Sequence, residues 1–329
     1  MTAYVRLLFG LGLLSLLLFV ISLLVGPAGV SPHLSLSALI FGDAGPLSLV
    51  MREIRLPRAI LGVLIGAALG LGGAAMQGYL RNPMAEPGIL GVSGAAALGA
   101  VLAIQTGLTA AFALALPFAA LAGAGVAVTL LLLLAGRRGG TLTLILAGIA
   151  ISALAGALTS LVLNLSPNPF AANEIIFWMM GSLADRSFLH VALALPFVAL
   201  GACLILPLGR GLDSLTLGED AAEALGVRMV RLRVLLVAGV AAMIGGATAV
   251  AGAIGFVGLV VPHLLRRAVG AQPGRLLFAS ALGGACMVLA ADIAVRLILP
   301  DRDLKLGVMT AIVGTPFFLH LIYRSRGQG

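Results

Sequence analysis

Uninterrupted apolar runs restrict the fold of this chain more than any other feature. About 20 consecutive apolar residues cross a bilayer. Stretches near 7–25, 58–79, 89–107, 112–135, 141–163, 188–208, 234–251, 255–269, 276–299 and 307–323 have that character, the one at 255–269 being short and interrupted by Pro262. A soluble domain carries roughly a quarter charged residues, whereas only 10% of these 329 residues are charged and 61% are hydrophobic. No polar shell can be made from that composition, so a soluble globular fold is excluded, and so is a disordered chain. A membrane β-barrel needs alternating strands and aromatic girdles; aromatics are 5% here and the runs are Leu, Ala, Val and Gly. Helices satisfy their own backbone groups in lipid. The expected fold class is all-α: a polytopic membrane protein of about ten transmembrane helices, with residues 1–329 as a single transmembrane domain. The first run is too long for a signal-peptide core and lacks a small-residue cleavage pattern, so it reads as an uncleaved helix.

Charge then sets an orientation. The formal net charge is +8, and in membrane proteins excess Arg and Lys collect on the cytoplasmic side. With the N-terminus placed inside, 13 of the 20 basic residues become cytoplasmic, among them Arg81, Arg137, Arg138, Arg228, Arg231 and Arg233. The other 7 are Arg52, Arg55, Arg58, Arg186, Arg296, Arg302 and Lys305. Both termini are therefore expected in the cytoplasm, and the polar segment 209–233 becomes a cytoplasmic loop. Residues 26–55 read as a polar connector.

Glycine supplies 44 of the 329 residues. Small residues let helix backbones approach closely in lipid, so the row Gly62, Gly66, Gly70 reads as a packing seam. Leu71-Gly72-Gly73-Ala74-Ala75 is similar to Ile244-Gly245-Gly246-Ala247-Thr248. The two helices carrying them run in opposite senses in this topology, as an inverted repeat of helices two to five and seven to ten would require.

Chemistry-bearing patterns are sparse. The lone Lys305 is followed by Leu306, so the chain has no P-loop and cannot cradle a nucleotide itself. Gly91-Val92-Ser93-Gly94-Ala95 lacks the last glycine of a nucleophile elbow. His33, His190, His263 and His320 are scattered without metal-ligand spacing, and Cys203 and Cys286 sit in apolar runs as packing residues. Charge inside the spans is limited to Asp292 and Arg296, spaced to pair on one helix. No enzyme, catalytic residue, metal or cofactor is expected. A stand-alone ion-coupled secondary transporter and an intramembrane enzyme are the rival classes, and both want more buried ionisable groups. The driving energy is expected on another chain.

The segment Leu212–Arg228 is the most acidic stretch. Gly218 divides it, and Glu219, Asp220 and Glu223 suit the first turns of a short helix. Ala221, Ala222 and Leu225 give that helix a small apolar face. Composition leaves two readings open: a solvated connector, or a helix pair that inserts into a groove on a partner.

Three ordered blocks carry a resemblance. They are Arg55-Leu56-Pro57-Arg58 continuing to Arg81-Asn82-Pro83-Met84-Ala85-Glu86-Pro87-Gly88-Ile89-Leu90-Gly91-Val92-Ser93, then Leu217-Gly218-Glu219-Asp220-Ala221-Ala222-Glu223-Ala224-Leu225-Gly226, then Gly252 to Arg266 with Pro262-His263. Together they resemble the FecCD-type permeases, the membrane subunits of ABC importers for iron-siderophores, haem and cobalamin. The resemblance implies a homodimer in a bacterial inner membrane, with the pathway between the two copies and a metal chelate as substrate. It implies two ABC ATPase subunits docked on Leu217, Gly218, Glu219, Ala221, Leu225 and Gly226. It implies a periplasmic or lipid-anchored binding protein meeting Arg55; a second docking Arg of the family aligns with Leu189, and nearby Arg186 takes its place. Asn82, Met84, Thr141, Leu142 and Thr143 fall where the family has its cytoplasmic gate. Glu86 and His263 read as structural groups, a turn cap and a satisfied polar group in a broken helix. The chain departs from the family pattern at Asp303-Leu304-Lys305, usually Glu-Leu-Pro, and at Ala271-Gln272-Pro273-Gly274-Arg275, usually Asp-His-Arg.

Overall fold

A computed structural model of the chain describes residues 3–26, 30–42, 45–112, 114–136, 140–298 and 304–326. Every regular element among them is helical. Arg137, Arg138, Arg302 and Asp303 lie outside the described residues. Helix α1 (Ala3–Leu24) is followed by α2 (Pro32–Phe41) and α3 (Pro46–Leu49), and a π-helical stretch, Val50–Arg55, leads into α4 (Leu56–Leu80). A 3-10 turn at Pro87–Leu90 precedes α5 (Val92–Gln105), α6 (Leu108–Ala111), α7 (Ala115–Ala135), α8 (Thr141–Asn164) and α9 (Pro169–Met179). Then α10 (Phe188–Ile205) passes through a 3-10 turn into α11 (Gly209–Leu215) and α12 (Glu219–Ala224). The chain closes with α13 (Met229–Ala251), α14 (Val257–Leu265), α15 (Pro273–Ile298) and α16 (Leu306–Arg326).

Two features differ from the sequence reading. Of the ten spans read from hydropathy, seven are, among the described residues, helices long and apolar enough to cross a membrane. The runs at 89–107 and 255–269 contain shorter helices, whereas the run at 307–323 lies within the 21 residues of α16. At 1.5 Å per residue, the 14 residues of α5 rise about 21 Å, and α14 has nine residues. The residues just before these two helices, 89–91 and 255–256, are apolar and buried or half-buried against the bundle, so hydropathy alone extends each helix at its start. Residues 26–55 are also more than a polar connector, since they contain α2, α3 and the π-helical stretch. Pro32 and Pro46 each open a helix, where the missing N–H costs nothing. Leu34, Leu36, Ile40 and Phe41 give α2 an exposed apolar surface.

The inner layer consists of α4, α13 and α15. The most apolar stretches of α4 and α13 are each 78% buried, against 28% for α7 and α8, which face outward. Glycine makes this possible. A side chain on Gly66 or Gly70 would meet the backbone of Gly284 or Ser280 on α15, and one on Gly73 would meet the backbone of Gly258 on α14. Little hydrophobic drive exists between helices in lipid, so close backbone packing holds them together.

The helix neighbours repeat. Exchanging α4 with α13, α5 with α14 and α7 with α15 turns the α4–α15 packing into α13–α7. The same exchange turns α5–α7 into α14–α15, and α4–α14 into α13–α5. Tyr79, at the end of α4, lies within electrostatic reach of Arg233, at the start of α13, so these two helices run antiparallel. That is the arrangement an inverted repeat produces. In addition, Pro87, just before α5, and Gly258, in the first turn of α14, touch each other beside the middle of α4.

Candidate functional site

At one end of the bundle the polar segment folds as a helix pair. Gly218 has φ +109° and Gly226 φ +87°; both lie in the region that glycine enters freely, and they bracket α12. Leu212 and Leu215 of α11 are fully buried. The Asp213 carboxylate accepts from Gly274 N at 2.7 Å and Gln272 Nε2 at 2.9 Å. A carboxylate at a helix start is favourable, so α11 is pinned to the first turn of α15. On α12, Ala222 is fully buried, while Leu217 and Leu225 on either side of the helix are 70% and 65% exposed. The apolar face expected over Ala221, Ala222 and Leu225 is therefore split: Ala222 packs inward and Leu225 points out.

The residues expected to form a gate fall at this same end. Thr141 Oγ1 donates to Glu219 Oε1 at 3.3 Å, and Thr141 also lies beside the Tyr79 side chain. The acidic helix, the first residue of α8 and the last turn of α4 are thereby linked. Leu142 and Thr143 are exposed beside Thr141. Asn82 Oδ1 accepts from Met84 N at 2.9 Å, a local turn typical of Asn. Arg81, just before it, is left-handed with φ 50°.

At the opposite end lies an ion network whose extent the sequence did not reveal. Asp292 is 1% exposed. It meets Arg296 Nη2 at 2.8 Å, as its i,i+4 spacing implies, but also Arg58 Nη2 at 2.8 Å from α4. Arg296 further donates to Ser22 O and Val25 O, both at 2.8 Å, and to Ser22 Oγ at 2.7 Å. Arg55 Nη1 donates to Leu23 O at 3.0 Å and Leu24 O at 3.1 Å. The last carbonyls of a helix have no partner within it, so two arginines close the end of α1. Arg52 does the same for α2 through Leu39 O and Ile40 O. Arg55, expected as an outward docking residue, is 6% exposed and turned inward. The row Arg52, Arg55, Arg58 fastens the first two helices and the acid. Its three-residue spacing was visible in the sequence; its partners were not.

Arg186 stands in the connection between α9 and α10. With Glu174, Phe177, Trp178, Asp185 and Lys305 it lines a cavity of about 470 Å³. Burial lowers the Arg186 pKa and the Asp185 charge opposes that shift. Lys305, where the family pattern has Pro, lies with Nζ 5.3 Å from the Phe177 ring centroid. A neighbouring apolar cavity of about 580 Å³ is walled by Met179, Met180, Ala253, Val308, Ile312 and Pro316. Helix α9, which carries Glu174 to Met179, was not expected; Asn168 caps it by accepting from Phe170 N. Among the described residues no group of three or more His, Cys, Asp or Glu could hold a metal ion.

These features are those of a transport scaffold, and sequence comparison assigns it. Residues 13–324 match the FecCD transport family. The chain belongs to the FecCD transport family. The resemblance read from the three sequence blocks is thus confirmed. The vitamin B12 import system permease protein BtuC of Klebsiella pneumoniae is 40% identical over 326 residues, covering 98% of this chain and 95% of that one. The hemin transport system permease protein HmuU of Yersinia pestis is 39% identical over 282 residues, 84% of each chain. A solved structure described as an inward-facing conformation of a metal-chelate type ABC transporter superposes with a TM-score of 0.86 at 34% identity, covering 97% of this chain and 99% of that one. The FecCD family and these relatives are transport permeases, not enzymes.

Proposed function

We propose that this FecCD chain is the membrane permease subunit of an ABC importer for a bulky metal chelate: cobalamin, haem or an iron-siderophore complex. The functions of the vitamin B12 and hemin relatives support the substrate class. In this reading it spans the inner membrane about ten times with both termini in the cytoplasm and pairs with a second copy of itself. Two separate ATPase subunits drive it, and a periplasmic or lipid-anchored binding protein delivers the substrate. It hydrolyses no ATP of its own.

The observation that carries the reading is the double aspect of α12. Leu217 and Leu225 face outward, where a partner groove can take them, while Glu219 reaches inward to Thr141. Movement of an ATPase against Leu217, Gly218, Glu219, Ala221, Leu225 and Gly226 would pass through Thr141 to α8 and through Asp213 to α15. Asn82, Met84, Thr141, Leu142 and Thr143 form the gate at this end. At the other end Arg186 meets an acidic group of the binding protein directly, and Arg55 serves docking by holding the end of α1. Complementary charges of this kind steer encounter and fix register.

The test separates docking from folding. Leu225→Glu, alone and with Leu217→Glu, is expected to cut co-purification of a P-loop ATPase at least tenfold with the permease Tm unchanged, because both side chains point away from the chain. Ala222→Glu is expected to unfold the segment instead. ATPase retention by the double variant, or uptake driven by an ion gradient without any ATPase, would refute the reading. In the same importer, Arg186→Glu is expected to weaken capture of the binding protein at least tenfold with the ATPase still bound; full capture would remove Arg186 from the docking face. Uptake of cyanocobalamin, haemin and a ferric siderophore, compared side by side, assigns the chelate.

A further inference from the structure

Two short helices, one from each half of the repeat, begin inside the bundle, and a single carboxylate joins them. Glu86 caps the 3-10 turn that leads into α5, with Ile89 N donating to its backbone carbonyl at 3.1 Å. Its side chain reaches 170 residues along the chain: Phe256 N donates to Glu86 Oε1 at 2.8 Å. Phe256 is the residue before α14, and its φ is +67°. That conformation is unfavourable for a bulky residue and persists only when the surroundings enforce it. The first carbonyl of the α14 ladder belongs to the same residue, accepting from Leu259 N and Val260 N at 3.1 and 2.8 Å. A carboxylate at this position also suits the positive end of the helix.

The left-handed turn aims the Phe256 ring at α16. The ring lies directly on Gly314, so close that a methyl group there would overlap it. The same helix, α16, supplies Val308, Ile312 and Pro316 to the large apolar cavity. Pro87, next to Glu86, packs on Gly258 two residues beyond Phe256, so the Glu86-Pro87 pair grips both the amide and the first turn of α14. A cavity of about 140 Å³ beside the grip, lined by Glu86, Ser93, Ile244 and Gly255 among others, leaves the carboxylate room to move.

We propose that Glu86 is a positioning residue for transport: its carboxylate holds Phe256 in the left-handed conformation, and the Phe256 ring seats α16 through Gly314. The link ties the connection after α4, in one half of the repeat, to the wall of the apolar cavity in the other. Discontinuous helices that meet inside a membrane protein are where its halves rearrange. The proposal rests on the permease reading only for its consequence in transport; its test reads the structure, so the two can fail separately.

The test is hydrogen–deuterium exchange on the full chain in lipid nanodiscs, which reports local opening. Glu86→Ala is expected to speed exchange at least tenfold over both 254–260 and 307–316. Glu86→Gln keeps the amide-accepting oxygen and is expected to stay within twofold of the parent. Gly314→Ala is expected to loosen the same two segments, and Phe256→Ala added to it to relieve that loosening in part, because the new methyl group then meets no ring. The proposal is overturned if Glu86→Ala leaves 307–316 at the parental rate, if Glu86→Gln is as disruptive as Glu86→Ala, or if Phe256→Ala gives no relief to Gly314→Ala. Should Glu86→Ala yield no folded protein, the Gln variant and the Gly314 pair still decide.

Discussion

Asp292→Ala is expected to destabilise the chain by about 3–5 kcal/mol, the range for removing one partner of a buried ion pair. The measurement is unfolding in mixed detergent micelles, followed with the parent alongside. Asp292 is 1% exposed and is shared by Arg58 and Arg296, each at 2.8 Å. Without it, two guanidinium groups face one another in a site that also receives Arg55 at the end of α1. Arg296 is held to the carbonyls of Ser22 and Val25 as well, so its displacement also uncaps α1. Asp292→Asn keeps an acceptor and loses the charge, and a smaller loss of roughly 1.5–3 kcal/mol is expected. Adding Arg58→Met to Asp292→Ala removes one of the stranded cations and is expected to recover part of the loss. A loss below about 1 kcal/mol for Asp292→Ala would show that the arginines are not held by the acid. Arg58, whose hydrogen bonds go to Asp292, would then be free to turn outward, while Arg55 would stay on the Leu23 and Leu24 carbonyls.

The same network shows where reading the sequence reaches its limit. The Asp292–Arg296 pair was legible because four residues on a helix bring two side chains together. The Arg58–Asp292 bond joins residues 234 apart, and no local spacing reports such a contact. For Arg55 the charge was legible and the direction was not, since inward and outward guanidinium groups leave the same letter in the sequence. The coupling segment fared better. Gly218, with its positive φ, and the acids after it mark a helix start by local chemistry alone, and α11 and α12 appear on either side. The opening of α2 was missed because Pro32 was weighed as a loop residue when it occupies a first helical position. The length of α5 was overread because residues 89–91 before it are buried or half-buried in the bundle and apolar for that reason, whereas the span around α14 already read as short in the sequence, with Pro262 inside it. What brings Glu86 to Phe256 is tertiary, but Phe256 following Gly255 at a helix start gave no sign of a left-handed residue; only a backbone can.

Three neighbouring glycines on α4 are expected to respond to alanine in opposite ways. At Gly72 a new Cβ would meet only side-chain ends, Ile244 Cδ1 at 3.5 Å, Pro87 Cγ at 3.6 Å and Met243 Cε at 3.8 Å. Alanine favours a helix over glycine by about 1 kcal/mol, so Gly72→Ala is expected to be neutral or stabilising by up to about that amount. At Gly70 the Cβ would overlap the Ser280 carbonyl, and at Gly73 the Gly258 carbonyl. Those are backbone atoms, with no rotamer to change, so the helices themselves must separate. Overpacking of this kind costs about 1–3 kcal/mol or more. Gly70→Ala and Gly73→Ala are each expected to lose at least 2 kcal/mol in detergent unfolding, a magnitude from the same range, and Gly70→Val to give no folded protein. Equal effects at all three positions would contradict the seam, because composition and helix propensity are the same at each and only the facing atoms differ. The functional consequence should exceed the loss of stability. Helix α4 carries Tyr79, beside Thr141, at one end and Arg58 with its bond to Asp292 at the other, and it crosses α14 at Gly73 between them. A shift of α4 large enough to admit one methyl group therefore strains the coupling end, the ion network and the Glu86 link together. Uptake should fall in Gly70→Ala and Gly73→Ala even at temperatures where both remain folded, and Gly72→Ala should transport as the parent does.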